Sequence, residues 1–378
     1  MRRQPSAHRA RSLPALVILI VAFLTACGGA NAGSSTGTTD QAGLEKAEAM
    51  VAEYSQRPTE IPNDEPITAP IPEGKRVTFI SCGAPACTLE ADIVRQATDQ
   101  LGWSLDVINT DGTPEKVKGA WQQILRTKPD GVIYTANERA VFNDELRQAT
   151  EMGISVVGCC TTDPVGDGLD FVIGTPEQTE EAGRVMGAWM VARSGGHAKT
   201  VYVDVPAFKI LGSIKQGYVD TLKETCPENC TTDTLEIPIT AVGKDVPDRI
   251  VSYLRAHPDV KYVAIATESI AGGLPAAMNA AGLNDVVVIG NGPDETTLQY
   301  VTSGQREATT AFAYYEEMFS LVDALARKFA GVPMEKEVVV PEWILTEENI
   351  PDDTKLFPLV EDNNEQYFEL WGVTEARG

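Results

Sequence analysis

The sequence predicts an α/β protein made of two lobes, each built on a doubly wound parallel sheet. Short Val/Ile-rich runs such as 76–82 and 131–136 alternate with amphipathic segments of helical period. Continuous apolar strands of this kind are typical of parallel sheets that helices cover on both faces. The alternation runs through 76–174 and begins again at 199, which indicates two such sheets.

The first 26 residues predict an export signal. Four arginines and no acidic residue accompany an almost wholly apolar stretch, 13–26, which is shorter than the ~20 residues of a membrane-spanning helix. An uncleaved signal anchor is the alternative. The stretch ends in Leu24-Thr25-Ala26-Cys27, which resembles a bacterial lipobox. That resemblance implies cleavage before Cys27 and a lipid on its thiol. We therefore expect an exported protein, anchored to the outer face of the cell membrane.

Residues 27–73 are predicted to form a flexible linker between this anchor and the folded body. The stretch 31–39 is rich in Gly, Ser and Thr, which favours a mobile chain. A short helix is expected at 44–54. Five prolines between 58 and 72 then exclude a regular element, so this part should be extended.

The elements of both lobes follow from local patterns. Thr113 is a good helix cap with Pro114 in the first turn, and Trp121 then falls on the apolar face, where we expect it in the core. The first series has strands at 76–82, 105–110, 131–136, 154–160 and 170–174, with helices at 90–102, within 113–130 and at 139–151. The second has strands at 199–205, 234–240, 261–267 and 286–292, with helices at 179–195, 213–224, 246–259 and 271–282.

Several phrases stand in an order that is similar to one known family. They are "ILRTKPDGVIYTAN", "EMGISVVG", "TEEAGRVMGAWM" and "PDVKYVAIATESIAGG". Their order over 74–350 resembles the ribose/galactose-type (type I) periplasmic binding proteins, the substrate-binding proteins of ABC transporters. The resemblance implies a three-segment hinge with crossings near 174–177, 308–313 and 333–341. The implied lobes are residues 74–175 plus 311–334, and residues 176–310 plus 335–378.

Ligands of parallel sheets bind beyond the carboxyl ends of the strands, so the strand-to-helix loops and crossings define the expected site. Asn, Asp, Glu and Thr there can match polar groups, and aromatic faces can pack on a ring. The predicted ligand-binding residues are Cys82, Gly83, Pro85, Asn137, Cys160, Asp163, Phe208, Thr267, Glu268, Asn291, Asp294 and Tyr314.

The same resemblance implies a sugar or sugar-like ligand, but the sequence departs from the family at the site. Thr267 and Glu268 replace the Asn-Asp pair of the family, and Cys160-Thr161 replaces its Asp-Arg. A less polar or cyclic ligand is therefore the alternative. For Glu268 two interpretations stay open, a ligand contact or a solvated helix cap.

Six cysteines remain after Cys27, an even number in an exported chain, which favours disulfides. The close spacings suggest two local pairs, Cys82 with Cys87 and Cys226 with Cys230. A bridge from Cys82 to Cys159 is less favoured. Cys159 and Cys160 are adjacent, and both a vicinal disulfide and two reduced thiols stay open.

The composition also excludes several classes of function. A net charge of −23 argues against nucleic acid, whose phosphates require dense Lys and Arg. We find no nucleophile elbow, phosphate loop or H-E-x-x-H, so we expect no enzyme and no cofactor. His197 and His257 lie far apart in sequence, so we expect no metal site. A repressor of this fold needs an N-terminal DNA-binding motif, where the export signal stands instead.

The expected protein is thus a monomeric receptor that captures a small molecule and delivers it to the permease of an ABC importer. A receptor that presents its ligand to a signalling partner uses the same closed form, and this alternative stays open.

We predict that the Cys27→Ala variant is released from membranes or remains unprocessed, because the thiol that carries the acyl chains is absent. Each buried CH₂ of such chains stabilises anchoring by ~0.8 kcal/mol. Membrane fractionation and the intact mass of the protein test this. Unchanged mass together with membrane retention would contradict the prediction.

Overall fold

Two parallel sheets organise the computed structural model of the protein, which describes residues 36–335 and 338–373. The predicted export signal and the predicted lipid site at Cys27 lie outside the described residues, as does part of the predicted crossing at 333–341. None of the helices in the described ranges combines the length and apolar character needed to span a membrane.

The N-terminal helix α1 (Thr36–Tyr54) is longer than the predicted helix at 44–54 and packs on the folded body. Its Gly43 has no room for a side chain, since a Cβ there would lie 1.9 Å from the carbonyl oxygen of Thr225. Ala47 is buried, and the Tyr54 hydroxyl donates to Glu181 at 2.8 Å. Residues 27–73 are predicted to form a flexible linker, but the part of it in α1 is docked on the folded body.

The proline-rich stretch that follows α1 is extended, as its prolines predict, and residues 57–75 form neither helix nor strand. It is nevertheless held in place. Asn63 is buried and accepts hydrogen bonds from the hydroxyls of Ser320 and Tyr367, and the indole of Trp103 donates to the carbonyl of Pro72 at 2.7 Å.

The first sheet contains five parallel strands in the order β2-β1-β3-β4-β5. They are β1 (Arg76–Ser81), β2 (Ser104–Asn109), β3 (Gly131–Thr135), β4 (Ser155–Cys159) and β5 (Phe171–Ile173). The connecting helices are α2 (Ala86–Gln100), α3 (Pro114–Thr127) and α4 (Asn143–Glu151), the last preceded by a 3-10 turn, Arg139–Val141. This is a doubly wound order, in which the direction of winding reverses between β1 and β3.

Helix α5 (Pro176–Ser194) leads from the first sheet to the second, which has the order β7-β6-β8-β9 and is again parallel. Its strands are β6 (Lys199–Asp204), β7 (Thr231–Glu236), β8 (Tyr262–Ile265) and β9 (Val287–Gly290). Its helices are α6 (Leu211–Thr225), α7 (Val246–Ala256), α8 (Leu274–Ala280) and α9 (Glu295–Thr302), with 3-10 turns at Ile239–Ala241 and Glu268–Ile270.

The chain returns to the first lobe through β10 (Thr309–Thr310) and α10 (Tyr314–Ala330), and α10 packs on α2 and β4. A short antiparallel strand, β11 (Ile344–Leu345), pairs with β10. The last helix, α11 (Asn363–Leu370), lies against α10, where Trp371 stacks on Phe319 with ring centroids 5.8 Å apart. The sequence assigns 335–378 to the second lobe, whereas α11 packs on the helix that returns to the first.

Helices α5 and α6 approach so closely that glycine is required between them. A Cβ on Gly183 would lie 1.9 Å from the carbonyl oxygen of Ile214, and one on Gly217 would lie 2.0 Å from that of Glu180. This contact holds the helix that leaves the first lobe against a helix of the second.

We predict that Gly183→Ala lowers the free energy of unfolding by about 1–3 kcal/mol, because the added methyl group forces the two backbones apart. Gly119→Ala on α3 is the matched control, since a Cβ there has no atom within 4 Å. The control should be neutral or up to ~1 kcal/mol more stable, since alanine is the better helix former. Urea unfolding measures both. Equal effects of the two substitutions would refute the close-packing argument.

A second prediction concerns Glu316 on α10, which is fully buried and accepts a hydrogen bond from the backbone N–H of Val360 at 2.9 Å. Burial raises the pKa of Glu316 from 4.5 to about 7. Between these two values the folded state binds more protons than the unfolded state, so the stabilisation is complete below 4.5 and is lost as pH rises through 7. We expect wild type to lose about 3 kcal/mol relative to Glu316→Gln over this range. Urea unfolding across pH 4.5–7.5 tests it, and a difference that does not change with pH would contradict it.

Candidate functional site

A cleft with about 70 Å³ of space open to the centre of a water molecule lies where the carboxyl ends of both sheets come together. Its walls come from the loops after β1, β3 and β4, from the first turn of α2, and from the loops after β6, β8 and β9. The segment between β10 and α10 completes it with Phe312 and Tyr314. Both lobes and a crossing therefore contribute to one site, as expected for parallel sheets.

On the first lobe, a disulfide stiffens the rim of the cleft. Cys82 directly follows β1 and Cys87 lies in the first turn of α2, with their Cα atoms 5.8 Å apart. The Thr135 hydroxyl lies 3.5 Å from the sulfur of Cys87. Because the bridge joins a strand end to a helix start, it fixes the loop that carries Ala84 into the cleft.

The second disulfide joins the adjacent residues Cys159 and Cys160, for which the sequence leaves both a vicinal disulfide and two reduced thiols open. Cys160 has a φ of +60° and lines the cleft, and Ala136, which also lines it, has a φ of +54°. Left-handed backbone is rare for residues other than glycine, and such strain concentrates at functional sites. The third predicted pair, Cys226 and Cys230, is also within bonding distance but lies at the end of α6.

Glu317 lies directly behind the vicinal disulfide. The Oε2 atom of Glu317 is 2.8 Å from the sulfur of Cys159, and Glu317 is 1% exposed. Burial raises the pKa of Glu317 well above its usual value, and the nearby carboxyls of Glu90 and Glu316 raise it further. A protonated Glu317 can therefore donate to the sulfur and support this wall of the cleft.

On the second lobe, Asn291 is the main polar side chain that lines the cleft. It follows β9, and its side-chain oxygen accepts from the Thr310 hydroxyl at 3.2 Å. That bond orients the amide and leaves its NH₂ group as a donor. Thr267, at the end of β8, adds a hydroxyl, and Tyr314 donates to the carbonyl of Gly292 at 3.5 Å.

The remaining wall is apolar. Phe208, Ile210, Leu211 and Ile214 come from the loop after β6 and the start of α6. Phe312 and Tyr314 also line the cleft, and their rings form a tilted aromatic pair with centroids 4.6 Å apart. Such faces suit a ring or an alkyl body better than a shell of hydroxyl groups.

Of the twelve predicted ligand-binding residues, the structure brings six to the cleft, namely Cys82, Cys160, Phe208, Thr267, Asn291 and Tyr314. The other six do not line it, and several have structural partners. Asn137 donates to the carbonyl of Thr135 at 2.8 Å, and Asp163 accepts from the Arg139 backbone N–H. Asp294 caps α9 by accepting from the Thr297 N–H at 2.8 Å, while Gly83 and Pro85 belong to the rim loop.

Glu268 fits neither of its two interpretations. It is 2% exposed, so it is not a solvated cap, and its carboxylate forms a buried ion pair with Arg306 below the cleft. A Cβ on Gly290 would lie 2.4 Å from Cγ of Glu268, so glycine at the end of β9 makes room for it. We do not include Glu268 in the proposed ligand contacts.

The most important residue that the sequence analysis missed is Glu90. It lies one turn into α2, is 4% exposed and lines the cleft. Burial raises the pKa of Glu90 to about 7, and a hydrogen bond from Thr135 offsets only part of this. A signal was present, because Glu90 shares the apolar face of α2 with Cys87, Ala91 and Val94, where a carboxylate is out of place.

Most of the other missed residues are small or apolar. Ala84, Ala86, Ala136, Thr179, Ile210, Leu211, Ile214, Gly292 and Phe312 line the cleft as well. Apolar positions at loop ends carry no pattern that distinguishes a cleft wall from the core.

One group of described residues has the geometry to hold a metal ion. The sulfurs of Cys159 and Cys160 and a carboxylate oxygen of Glu317 lie within 4.8 Å of one another. Metals bind thiolates, so the disulfide would have to be reduced before these sulfurs could serve as ligands.

Comparisons with known proteins agree with this geometry. The family model of the periplasmic binding protein domain matches residues 88–332. A search of the curated proteins finds no match. Several hundred solved chains share the fold.

Three of the solved structures illustrate the range of similar proteins. A glucose-galactose binding protein from Geobacillus stearothermophilus is 17% identical, with a TM-score of 0.64, covering 74% of this chain and 100% of its own. A 5-methylthioribose transporter solute binding protein from Thermotoga lettingae is 16% identical, with a TM-score of 0.66 and coverage of 80% and 96%. A putative LacI transcriptional regulator from Bacteroides fragilis is 14% identical, with a TM-score of 0.61 and coverage of 74% and 98%.

At these identities the solved structures establish the fold, which is the type I periplasmic binding fold, and the family model establishes the relationship. The family consists of solute-binding proteins and not of enzymes. The matched segment includes strands of both sheets and most of the cleft walls. The chain belongs to the periplasmic binding protein family.

Proposed function

We propose that this protein is a lipid-anchored receptor that captures one small molecule between its lobes outside the cell membrane and delivers it to an ABC importer. The observation that carries the proposal is the cleft, which is lined from the strand ends of both sheets and from the segment between β10 and α10. A site divided in this way can close on a ligand by a hinge motion.

The export signal and Cys27 support the anchored location, and family membership implies a place outside the cytoplasm. An acidic body suits this arrangement, because a net charge of −23 keeps it away from an anionic membrane surface. The importer as partner rests on the family and on solved relatives described as ABC transporter binding proteins.

A sugar-like ligand is the first candidate, because several solved relatives are described as sugar-binding proteins. The walls of this cleft favour the second candidate, a less polar or cyclic molecule. The side chains that can offer it polar atoms are Glu90, Thr179, Thr267, Asn291 and Tyr314. A hexose would bury more hydroxyl groups than these can satisfy, and each unpaired group costs ~1–3 kcal/mol.

The function is tested first by a thermal-shift screen of the purified protein against sugars, polyols, nucleosides and ring-bearing metabolites. A true ligand at 100 times its Kd should add ~2.7 kcal/mol of stability.

We predict that such a ligand also reduces the radius of gyration measured by X-ray scattering, because the lobes close around it. A ligand that binds at the cleft with no change in radius would contradict the hinge.

The location of the site is tested by substitution. We predict that Asn291→Ala weakens binding of the ligand from the screen about tenfold, since it removes one buried hydrogen bond worth ~1–1.5 kcal/mol. Asn284→Ala is the control, because Asn284 is exposed and does not line the cleft. Calorimetry compares the two variants with wild type. If Asn291→Ala binds like the control, the site lies elsewhere.

A further inference from the structure

One carboxyl group in the cleft has no counter-charge. Glu90 is 4% exposed, and its Oε2 is buried without a hydrogen-bond partner among the described residues. The residues that line the cleft include no Lys, Arg or His. A buried carboxyl without a counter-charge is rare, since burial strongly disfavours its charged form.

Two further acids on other elements are linked to Glu90 in sequence of contact, Glu317 to Glu90 and Glu342 to Glu317. Glu317 comes from α10 and Glu342 from the segment before β11, and Glu317 raises the pKa of Glu342. Glu90 in turn raises the pKa of Glu317. Within the described ranges, none of the three forms an ion pair. Of the three acids only Glu90 lines the cleft, and it does so without a cationic partner among the described residues.

The rest of the cleft is apolar around this acid. Phe208, Leu211 and Ile214 form one wall, and Phe312 and Tyr314 face it. Two disulfides add polarizable sulfur at Cys82 and Cys160. In such surroundings of low dielectric, a charge interaction is stronger than in water, so one well-placed opposite charge has a large effect.

We propose that the ligand of this cleft is a ring-bearing amine, whose protonated nitrogen pairs with Glu90 while its apolar body packs between the aromatic and aliphatic walls. This inference rests on the proposed solute-binding function and specifies its substrate class. An ammonium group supplies the missing counter-charge, and it holds Glu90 in its ionised form. The acidic surface of the protein also favours the approach of a cation.

The main competing ligand is a neutral one. Burial raises the pKa of Glu90 to about 7, so a protonated Glu90 could donate to a hydroxyl or carbonyl oxygen. A neutral ligand leaves the acid cluster around Glu317 unbalanced, whereas a cation relieves it. The two ligand types therefore differ in how strongly they depend on the charge of Glu90.

The experiment uses a panel of primary amines with one to three rings, each matched to the alcohol in which a hydroxyl group replaces the amine. 2-Phenylethylamine and 2-phenylethanol are the smallest pair, and D-galactose is included as the sugar. Thermal shift and calorimetry at pH 7 measure binding to the purified protein. We expect at least one amine to bind tenfold or more tightly than its alcohol, and D-galactose to give no shift.

Glu90→Gln tests the residue, because it keeps the shape of the side chain and removes the charge. We expect the preference for amine over alcohol to disappear in this variant and to persist in Glu115→Gln, which removes an exposed charge on α3. Glu90→Asp keeps the charge and should retain the preference with weaker affinity. If Glu90→Gln fails to fold, the ratio of amine affinity to alcohol affinity measured for wild type still tests the proposal.

Two results would overturn the inference. Either no amine in the panel binds more tightly than its alcohol, or the preference survives Glu90→Gln. If D-galactose or the alcohols bind and close the lobes, the solute-binding function stands and only the amine is wrong. If neither this panel nor the broader solute screen gives a shift, the proposed function itself fails.

Discussion

The common direction of the strands is the constraint on which the binding cleft depends. Every pairing within the two large sheets is parallel, so all the strands of a sheet end at the same edge. The chain leaves the first sheet after β5 and returns after β9, in both cases from a strand end. The two edges therefore contribute to one cleft, and each loop that follows a strand there can supply a side chain to it.

The return path of the chain is fixed by buried polar contacts. The Gly292 N–H donates to the carbonyl of Thr310, and Thr309 donates its hydroxyl to the carbonyl of Gly290. Beneath these bonds, Glu268 and Arg306 tie the loop after β8 to the segment that enters β10. Removing either partner would leave a buried charge unpaired, which is far more destabilising than loss of a surface pair. These hydrogen bonds and this ion pair fix the backbone that places Asn291 in the cleft.

The sequence was sufficient for the architecture because the strands and helices carry strong periodic patterns. The strands β1 to β6, β8 and β9 and the helices α2 to α8 lie close to their predicted positions, whereas β7 begins three residues before its predicted range, and the positions at strand ends then locate the cleft. The extent of α1 was not predictable, because its helix is stabilised by packing of Gly43 and Ala47 on α6 and not by its own sequence.

The polar residues of the cleft were predicted less well than the loops that carry them. Asp163 and Asp294 have the right chemistry for a ligand, but the nearest backbone N–H groups already use them. Glu268 stands just after a strand, yet its carboxylate pairs with Arg306, 38 residues later in the chain. Such competition between a ligand and a tertiary partner is decided in three dimensions, so a residue type at a loop position identifies only a candidate.

Buried acids account for the most unusual property of the site. Glu90 and Glu317 raise the free energy of the folded state whenever they ionise, since burial opposes the charge on both and repulsion from Glu90 adds to it at Glu317. Groups of this kind persist mainly where they serve binding or catalysis. The cleft offers its ligand few hydrogen bonds but a strong field, and the disulfides at Cys82 and Cys160 keep its walls in place. Walls that are already ordered reduce the free energy lost on binding, so a small ligand with one charge can still bind tightly.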